Sequence, residues 1–272
     1  MVMAGAVAVG FAPIGFRLSE FGPQATGFWR FLFALPLIAA AIHARGGKIG
    51  RPSLTALAAG AFFGLDIVLW HASLTLTSVA NATFIVNLGP ASVGLVAWVA
   101  LKERPAKVWP FALGIALFGA LLLSRGAETA DASALQGDLL ALAAAMMVGL
   151  FVFLAKIARR TESAMNVLFW STAAMLAVSA AASLVGREQI LPLDWTWLIV
   201  PFLLAVIAHI LGQGLIVAGV GRSPAATAGV LLLIQPVAAA LIAWPLFNEA
   251  LTPIQLAGAA LILMGVWLAG RR

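Results

Sequence analysis

Residues 78–125 and 224–271 of this chain are two copies of one segment, separated by a constant 146 positions. Without a gap, this offset pairs Pro90 with Pro236, Trp98 with Trp244, Glu103 with Glu249, Gly119 with Gly265, and Arg125 with Arg271. A fainter echo, at a different offset, pairs Val9, Gly10 and Arg17 with Val148, Gly149 and Lys156. The chain therefore consists of two related halves, an organisation typical of secondary transporters.

The composition predicts a chain embedded in a lipid bilayer, because 63% of its residues are hydrophobic and only 10% are charged. A membrane-spanning helix needs roughly 20 apolar residues, and the chain divides into stretches of about that length. We predict ten spans, at residues 2–18, 25–44, 54–76, 79–100, 107–124, 137–156, 164–185, 196–218, 225–246 and 253–270. The expected domains are an N-terminal repeat over 1–125, a connecting loop over 126–136 and a C-terminal repeat over 137–272.

The distribution of Lys and Arg predicts the orientation, since cationic residues near span ends stay on the cytoplasmic side. Twelve basic residues lie at the C-terminus or in connections that follow even-numbered spans, whereas connections after odd-numbered spans hold only Arg17, Arg125 and Arg187. Both termini are therefore expected in the cytoplasm. Five spans per half is an odd number, so the second half crosses in the opposite sense. The predicted fold class is an all-α polytopic membrane protein with ten transmembrane helices, arranged as two inverted five-helix repeats around a central cavity.

Several classes of function are disfavoured by composition. Positive loops on one side account for the net charge of +6, so no nucleic-acid partner is needed. The chain has no cysteine, which excludes disulfides and thiolate metal sites. There is no Walker motif, so ATP is not expected as the direct energy source. We predict no cofactor, no metal and no requirement for an ATPase subunit; the expected partners are a small-molecule substrate and the lipid bilayer.

Polar side chains at bilayer depth are candidates for a transport pathway, because they are costly unless they meet a partner or water. In the third span, Asp66 and Trp70 share a helical face, and His71 lies on the adjoining one. Asp66 has three interpretations: a proton carrier, a counter-ion for a cationic substrate, or a buried partner of His71 or of a hydroxyl. His71 is the strongest candidate for lining a cavity.

The remaining candidates come from four other spans. We list them as cavity residues Asn81, Asn87, Trp170, His209, Gln213 and Gln235, with Pro90 and Pro236 as gating hinges. A neutral amide in a span is as often a helix-packing hydrogen bonder as a ligand, so both interpretations stay open for Asn and Gln. Arg30 lies close to the outer end of the second span, where its long side chain is expected to reach the interface.

The duplicated segment also resembles a known family. Asn87-Leu-Gly-Pro90 through Glu103 to Gly119, and Gln235-Pro236 through Glu249 to Gly265, resemble the repeated module of the drug/metabolite transporter superfamily, in its EamA branch. Phe28-Trp-Arg-Phe-Leu-Phe-Ala34 is similar to that family's second span. By overall likeness, the chain most resembles the YddG-type exporters of aromatic and other amino acids in bacterial inner membranes. The resemblance implies a ten-helix bundle, a central cavity between the third, fourth, eighth and ninth spans, and solute efflux.

The functional prediction is a secondary transporter that exports amino acids or similar small amphipathic metabolites across a bacterial inner membrane by alternating access. A multidrug pump for cationic compounds is the alternative, with Asp66 as its site. An intramembrane enzyme using His71, His209 and Asp66 is disfavoured, because no metal-ligand spacing and no nucleophile elbow is present. A channel is disfavoured by the lack of charged rings and filter motifs, whereas uniport down a gradient stays open.

The two equivalent prolines predict where the spans bend. A proline within a helix removes one backbone hydrogen bond and permits a kink. We therefore expect Pro90→Ala and Pro236→Ala to change the transport rate more than the substrate affinity, measured as Vmax and KM in reconstituted vesicles. Unchanged flux in both variants would contradict a hinge role.

Overall fold

The computed structural model describes residues 1–77, 79–102, 104–124, 135–248 and 250–270. Of the repeat positions singled out above, Glu103, Arg125, Glu249 and Arg271 lie outside the described residues, as does most of the predicted loop 126–136. Within the described part, the chain forms helices and short connections, with no β-strand. The all-helical fold class is thus confirmed.

The helical stretches coincide with the ten predicted spans to within two residues at each end, the eighth starting with a 3₁₀ turn at Trp195–Leu198. Seven stretches in the described residues are long and apolar enough to cross a membrane, among them the composite stretches Trp195–Val220 and Ala225–Phe247. Val2–Leu18 and Trp109–Ser124 are shorter apolar stretches. In chain order the elements are α1 (Val2–Val9), α2 (Ala12–Leu18), α3 (Pro23–Ala44), α4 (Leu54–Leu74), α5 (Val79–Val86), α6 (Gly89–Leu101), α7 (Trp109–Ser124), α8 (Leu135–Ala158), α9 (Ala164–Val185), α10 (Ile199–Leu204), a π-helix (Ala205–Gln213), α11 (Gly214–Val220), α12 (Ala225–Leu232), α13 (Ile234–Phe247) and α14 (Pro253–Gly270).

The fourth and ninth predicted spans are each interrupted one turn before a proline. Helix α12 ends at Leu232, four residues before Pro236, and α5 ends at Val86, four residues before Pro90. A proline has no N–H to donate to the carbonyl four residues earlier, so the preceding helix stops there. Both prolines then lie in the first turn of the next helix, where an N–H would have no helical partner in any case.

Helix ends are closed by side chains that accept the free N–H groups of the first turn. Ser53 Oγ accepts from Ala56 N at 3.0 Å at the start of α4. At the start of α14, Thr252 and Gln255 form a reciprocal pair: Thr252 N donates to Gln255 Oε1 at 2.9 Å, and Gln255 N donates to Thr252 Oγ1 at 3.3 Å. This capping box confirms the predicted start of the tenth span.

The duplication is visible in the backbone conformation as well as in the sequence. Four described residues have a positive φ, and they form two pairs, one member in each half. Lys102, with φ 55°, ends α6, and Asn248, with φ 53°, ends α13, at the offset of 146. Gly46, with φ 72°, follows α3, and Arg187, with φ 53°, follows α9. The halves therefore end equivalent helices in the same way.

Helices α7 and α14 are equivalent in the repeat and pack against each other in antiparallel directions. A Cβ on Gly119 would lie 2.6 Å from the Gly258 carbonyl oxygen, and one on Gly265 would lie 2.6 Å from the Ala112 oxygen. The offset of 146 relates Gly119 to Gly265 and Ala112 to Gly258, so the two contacts are equivalent under the repeat. Equivalent helices that run in opposite directions are what an inverted repeat requires.

We predict that Gly119→Ala destabilises the protein, because the added methyl group meets backbone atoms that have no room to move. Overpacking of this kind costs about 1–3 kcal/mol. Gly114 is the matched control in the same helix, since a Cβ there meets no atom of the described residues within 4 Å. In thermal unfolding of purified protein, Gly119→Ala should lower the midpoint by several degrees, and Gly114→Ala should not. Equal midpoints for the two variants would contradict this close approach.

Candidate functional site

Four side chains from three helices meet around His71, and we call them the His71 group: Phe16, Gln24, Trp70 and His71. Gln24 Nε2 lies 3.3 Å from His71 Nδ1. The Phe16 ring meets the imidazole edge-on at a centroid distance of 5.2 Å, and the Trp70 ring lies at 4.9 Å. Neutral hydrogen-bonding groups beside aromatic rings suit amphipathic solutes. The structure thus brings together two of the predicted residues, His71 and Trp70, with two that the sequence did not single out.

Asp66 lies one turn before Trp70 on the same face of α4 and is 9% exposed. In the part of the chain that the structure describes, its Oδ1 atom has no hydrogen-bond partner, and neither has Nε1 of Trp70. His71 Nδ1 is instead adjacent to Gln24. The interpretation of Asp66 as a buried partner of His71 or of a hydroxyl therefore gains no support at Oδ1.

A second group of side chains lies around His209 in the π-helix. His209 is fully buried, and its Nε2 atom is 2.7 Å from Thr172 Oγ1 of α9. The Phe31 ring of α3 packs edge-on against the imidazole at 5.0 Å. Gln213, one of the predicted residues, is 2% exposed near the end of the same π-helix. The widened turn of a π-helix is found preferentially at functional positions.

Arg30 corrects an expectation, because its side chain does not reach the outer interface. It is 2% exposed, and its Cζ atom lies 5.4 Å from the centroid of the Phe31 ring. Helix α3 packs against α9, α10 and the π-helix, so its neighbours enclose the side chain. The Phe31 ring that the guanidinium covers also packs against His209. Burial of a charge within a membrane helix is costly and marks a functional candidate.

Trp170, another predicted cavity residue, forms part of a reciprocal arrangement. Its Nε1 donates to the Gly50 carbonyl at 3.0 Å, in the connection between α3 and α4. Trp29 of α3 donates to the Ile190 carbonyl at 2.8 Å, in the connection that follows α9. The two tryptophans, numbers 29 and 170, are separated by the same 141 positions as Gly46 and Arg187. We call these two bonds the indole anchors: each half uses an equivalent Trp to hold the other half's connection.

The connection held by Trp170 borders a polar cavity of about 560 Å³. Asn166 Oδ1 accepts from Gly50 N at 2.9 Å at its edge. Its lining consists of Lys48, Gly50, Arg51, Pro52, Ser53, Thr161, Glu162, Ser163 and Asn166. These residues belong to connections and helix ends, so the cavity lies at an end of the bundle rather than beside His71.

The other predicted residues have local surroundings. Asn87 is half-buried and donates through Nδ2 to the Thr83 carbonyl at 2.9 Å, one turn earlier. Gln235 is half-buried at the start of α13, beside Pro236. The side chains of Asn81 and Pro90 lie outside the described residues.

Sequence reasoning missed Gln24, Thr172 and the buried position of Arg30. Gln24 follows Pro23 at a helix start, where a polar residue usually has a capping role. For the indole anchors a signal was present: the dipeptide Phe-Trp occurs at 28–29 and again at 169–170. In both dipeptides the rings are T-shaped, with centroids 5.5 Å and 5.1 Å apart.

Comparison with known proteins finds a family that matches nearly the whole chain. Residues 1–125 and 135–271 match the EamA-like transporter family. One solved crystal structure superposes on 99% of this chain and 95% of its own chain, with a TM-score of 0.83 at 19% sequence identity. At that identity the likeness shows the fold alone.

Three curated relatives carry transporter names. A protein of Archaeoglobus fulgidus, named an uncharacterized transporter, is 28% identical over 90% of this chain and 84% of its own length. The Bacillus subtilis uncharacterized transporter YwfM is 25% identical over 73% of this chain and 67% of its own. A Salmonella typhimurium protein named "Probable amino-acid metabolite efflux pump" is 30% identical over 61% of this chain and 59% of its own.

The indole anchors generate a prediction that carries its own control. Trp170→Phe removes the N–H that holds Gly50, and Trp29→Phe removes the one that holds Ile190. In hydrogen–deuterium exchange, we expect Trp170→Phe to speed exchange in residues 45–53 and Trp29→Phe to speed it in residues 186–194, each several-fold. Because either variant serves as the control for the other, a uniform increase across both connections would contradict two separate anchors.

Proposed function

The chain belongs to the EamA-like transporter family, and from that premise we propose that it exports amino acids, aromatic and other neutral ones, or similar small amphipathic metabolites. The family and the names of the relatives indicate a transporter rather than an enzyme. The proposed location is a bacterial inner membrane, with both termini in the cytoplasm. No ATPase subunit takes part in the proposed cycle.

The observation that carries this proposal is the His71 group. A hydrogen-bonded imidazole and amide, flanked by the rings of Phe16 and Trp70, offers an apolar wall with polar groups at one edge. Such a surface accepts an aromatic or aliphatic side chain of a solute. The name of the Salmonella typhimurium relative agrees with that chemistry.

The two halves, with proposed boundaries at 1–125 and 137–272, supply the movement. Inverted repeats permit one half to adopt the conformation that the other half leaves, so that a central site opens to alternate sides. The interruptions before Pro90 and Pro236 are the proposed bending points, since each separates two helical segments within one span.

A second candidate is efflux of cationic compounds, favoured by one observation at Asp66. Its Oδ1 atom is buried and finds no hydrogen-bond partner in the described ranges, and a buried carboxylate oxygen in a membrane protein is a suitable counter-ion for a cation. In that case Asp66→Asn should abolish transport. For an amino-acid exporter in which Asp66 has no contact with substrate, the same variant should keep much of its flux.

The test is counterflow of radiolabelled tryptophan, phenylalanine, threonine and a hydrophobic cation in proteoliposomes, with and without a pH gradient. We expect wild type to move the amino acids, and His71→Ala to reduce that flux at least tenfold, because the substrate side chain loses a ring of the wall that it packs against. His43→Ala is the matched control: His43 lies exposed in the last turn of α3, and its Nδ1 is 2.8 Å from Ala39 O.

The outcomes separate the two candidates. Amino-acid flux that falls in His71→Ala and not in His43→Ala supports the exporter, and dependence on the gradient identifies proton coupling. Movement of the cation alone, lost in Asp66→Asn, would replace the exporter with the cation pump.

A further inference from the structure

The buried guanidinium of Arg30 presents an unoccupied hydrogen-bonding edge. Its Nε and Nη2 atoms are buried and have no hydrogen-bond partner among the described residues. These two nitrogens form one side of the planar group, and their N–H bonds point in parallel. That edge matches the two oxygens of a carboxylate, which bind an arginine in a bidentate manner.

Within the described residues, the Arg30 guanidinium lies over the Phe31 ring, and no protein atom accepts a hydrogen bond from its Nε or Nη2. An uncompensated buried charge in a membrane protein is expensive. A ligand carboxylate would compensate both the charge and the two free donors.

His209 supplies a complementary group, since its imidazole packs against the same Phe31 ring that the Arg30 guanidinium covers. Thr172 Oγ1 lies 2.6 Å from the Leu168 carbonyl and 2.7 Å from His209 Nε2. The single hydroxyl hydrogen is donated to Leu168, the usual bond of a helical threonine to the carbonyl four residues back. His209 Nε2 then carries the ring hydrogen and donates to Thr172.

This tautomer leaves His209 Nδ1 with a free lone pair. The atom is buried and has no partner in the described structure. An acceptor without a donor is a costly feature of a buried site. The N–H of an ammonium or amine group could donate a hydrogen bond to His209 Nδ1.

The geometry points to a binding site for the main-chain groups of a zwitterionic α-amino acid, with the Nε and Nη2 edge of Arg30 on the carboxylate and His209 Nδ1 on the amino group. This inference rests on the proposed function and names the part of the substrate that every amino acid shares. The side chain of the substrate is then free to vary, in keeping with export of several neutral amino acids.

In this structure the site is closed. Arg30 is 2% exposed and His209 is fully buried, so entry of a solute requires α3 to separate from the π-helix that faces it. The π-helix, Ala205–Gln213, is the irregular element of that contact. The backbone hydrogen bonds of a π-helix close longer rings than those of an α-helix. A change from π-helical to α-helical bonding would therefore change the length of this segment.

Ligands that lack one charged group each test this inference. Phenylalanine carries both groups, phenethylamine lacks the carboxylate, and 3-phenylpropionate lacks the amine. Binding is measured by ligand-induced thermal stabilisation of purified protein, which reports affinity without a labelled tracer. In wild type, we expect either analogue to bind at least tenfold more weakly than phenylalanine.

The variants should then separate the two contacts. We expect Arg30→Gln and Arg30→Lys to weaken phenylalanine and 3-phenylpropionate at least tenfold and to leave phenethylamine unchanged; Arg30→Lys keeps the charge but loses the bidentate edge. His209→Phe keeps the ring and should weaken phenylalanine and phenethylamine alone. Unchanged phenethylamine binding also shows that an Arg30 variant is folded. Arg17→Gln is the matched control, since the Arg17 guanidinium likewise covers a ring, that of Phe247 at 4.0 Å.

Three results would overturn the inference, and they are distinguishable. If the Arg30 variants weaken all three ligands equally, Arg30 maintains structure and does not contact the carboxylate. If wild type binds phenylalanine and both Arg30 variants bind it as well, the site lies elsewhere and the proposed function stands. If wild type binds a hydrophobic cation but no amino acid, the proposed function fails and the inference fails with it.

Discussion

The absence of water from the bilayer core is the constraint on which the rest of this structure depends. Every backbone N–H and C=O must find a partner within the protein, so a helix can be interrupted only where packing or a side chain compensates. The interruptions at Gly10 and at Leu233 meet each other, since a Cβ on Gly10 would lie 3.1 Å from the Gln235 carbonyl oxygen. One of these interruptions belongs to each half, so irregular backbone from both halves lies at the contact between them.

The sequence predicted the helices well because the information for them is local. Apolar length determines a span, and proline determines where the helices of the fourth and ninth spans are interrupted. The internal offset predicted the repeat from residue identity alone, and the odd number of spans in each half predicted its inversion. These features need no knowledge of which helix faces which.

The candidate site was less accessible to sequence reasoning because it depends on the rotation and neighbours of each helix. Arg30 was expected at the interface from its depth alone, but the helices packed around α3 enclose it. Trp170 shares a face with polar Asn166, which suggested a cavity, yet its N–H is held by the carbonyl of Gly50. Helix α3 carries Gln24 toward His71 and Phe31 toward His209, so a span with one predicted feature contributes to both groups.

The indole anchors have a consequence for the energies of the two states in the proposed alternating-access cycle. If the halves were identical, exchanging their conformations would convert one state into the other, and the two would be degenerate. Trp29 and Trp170 preserve that degeneracy, but the next residue is Arg30 in one half and Ser171 in the other. A difference in free energy between the states must arise at such unmatched positions. The difference in population between the two states is therefore determined by the positions at which the two halves carry different residues.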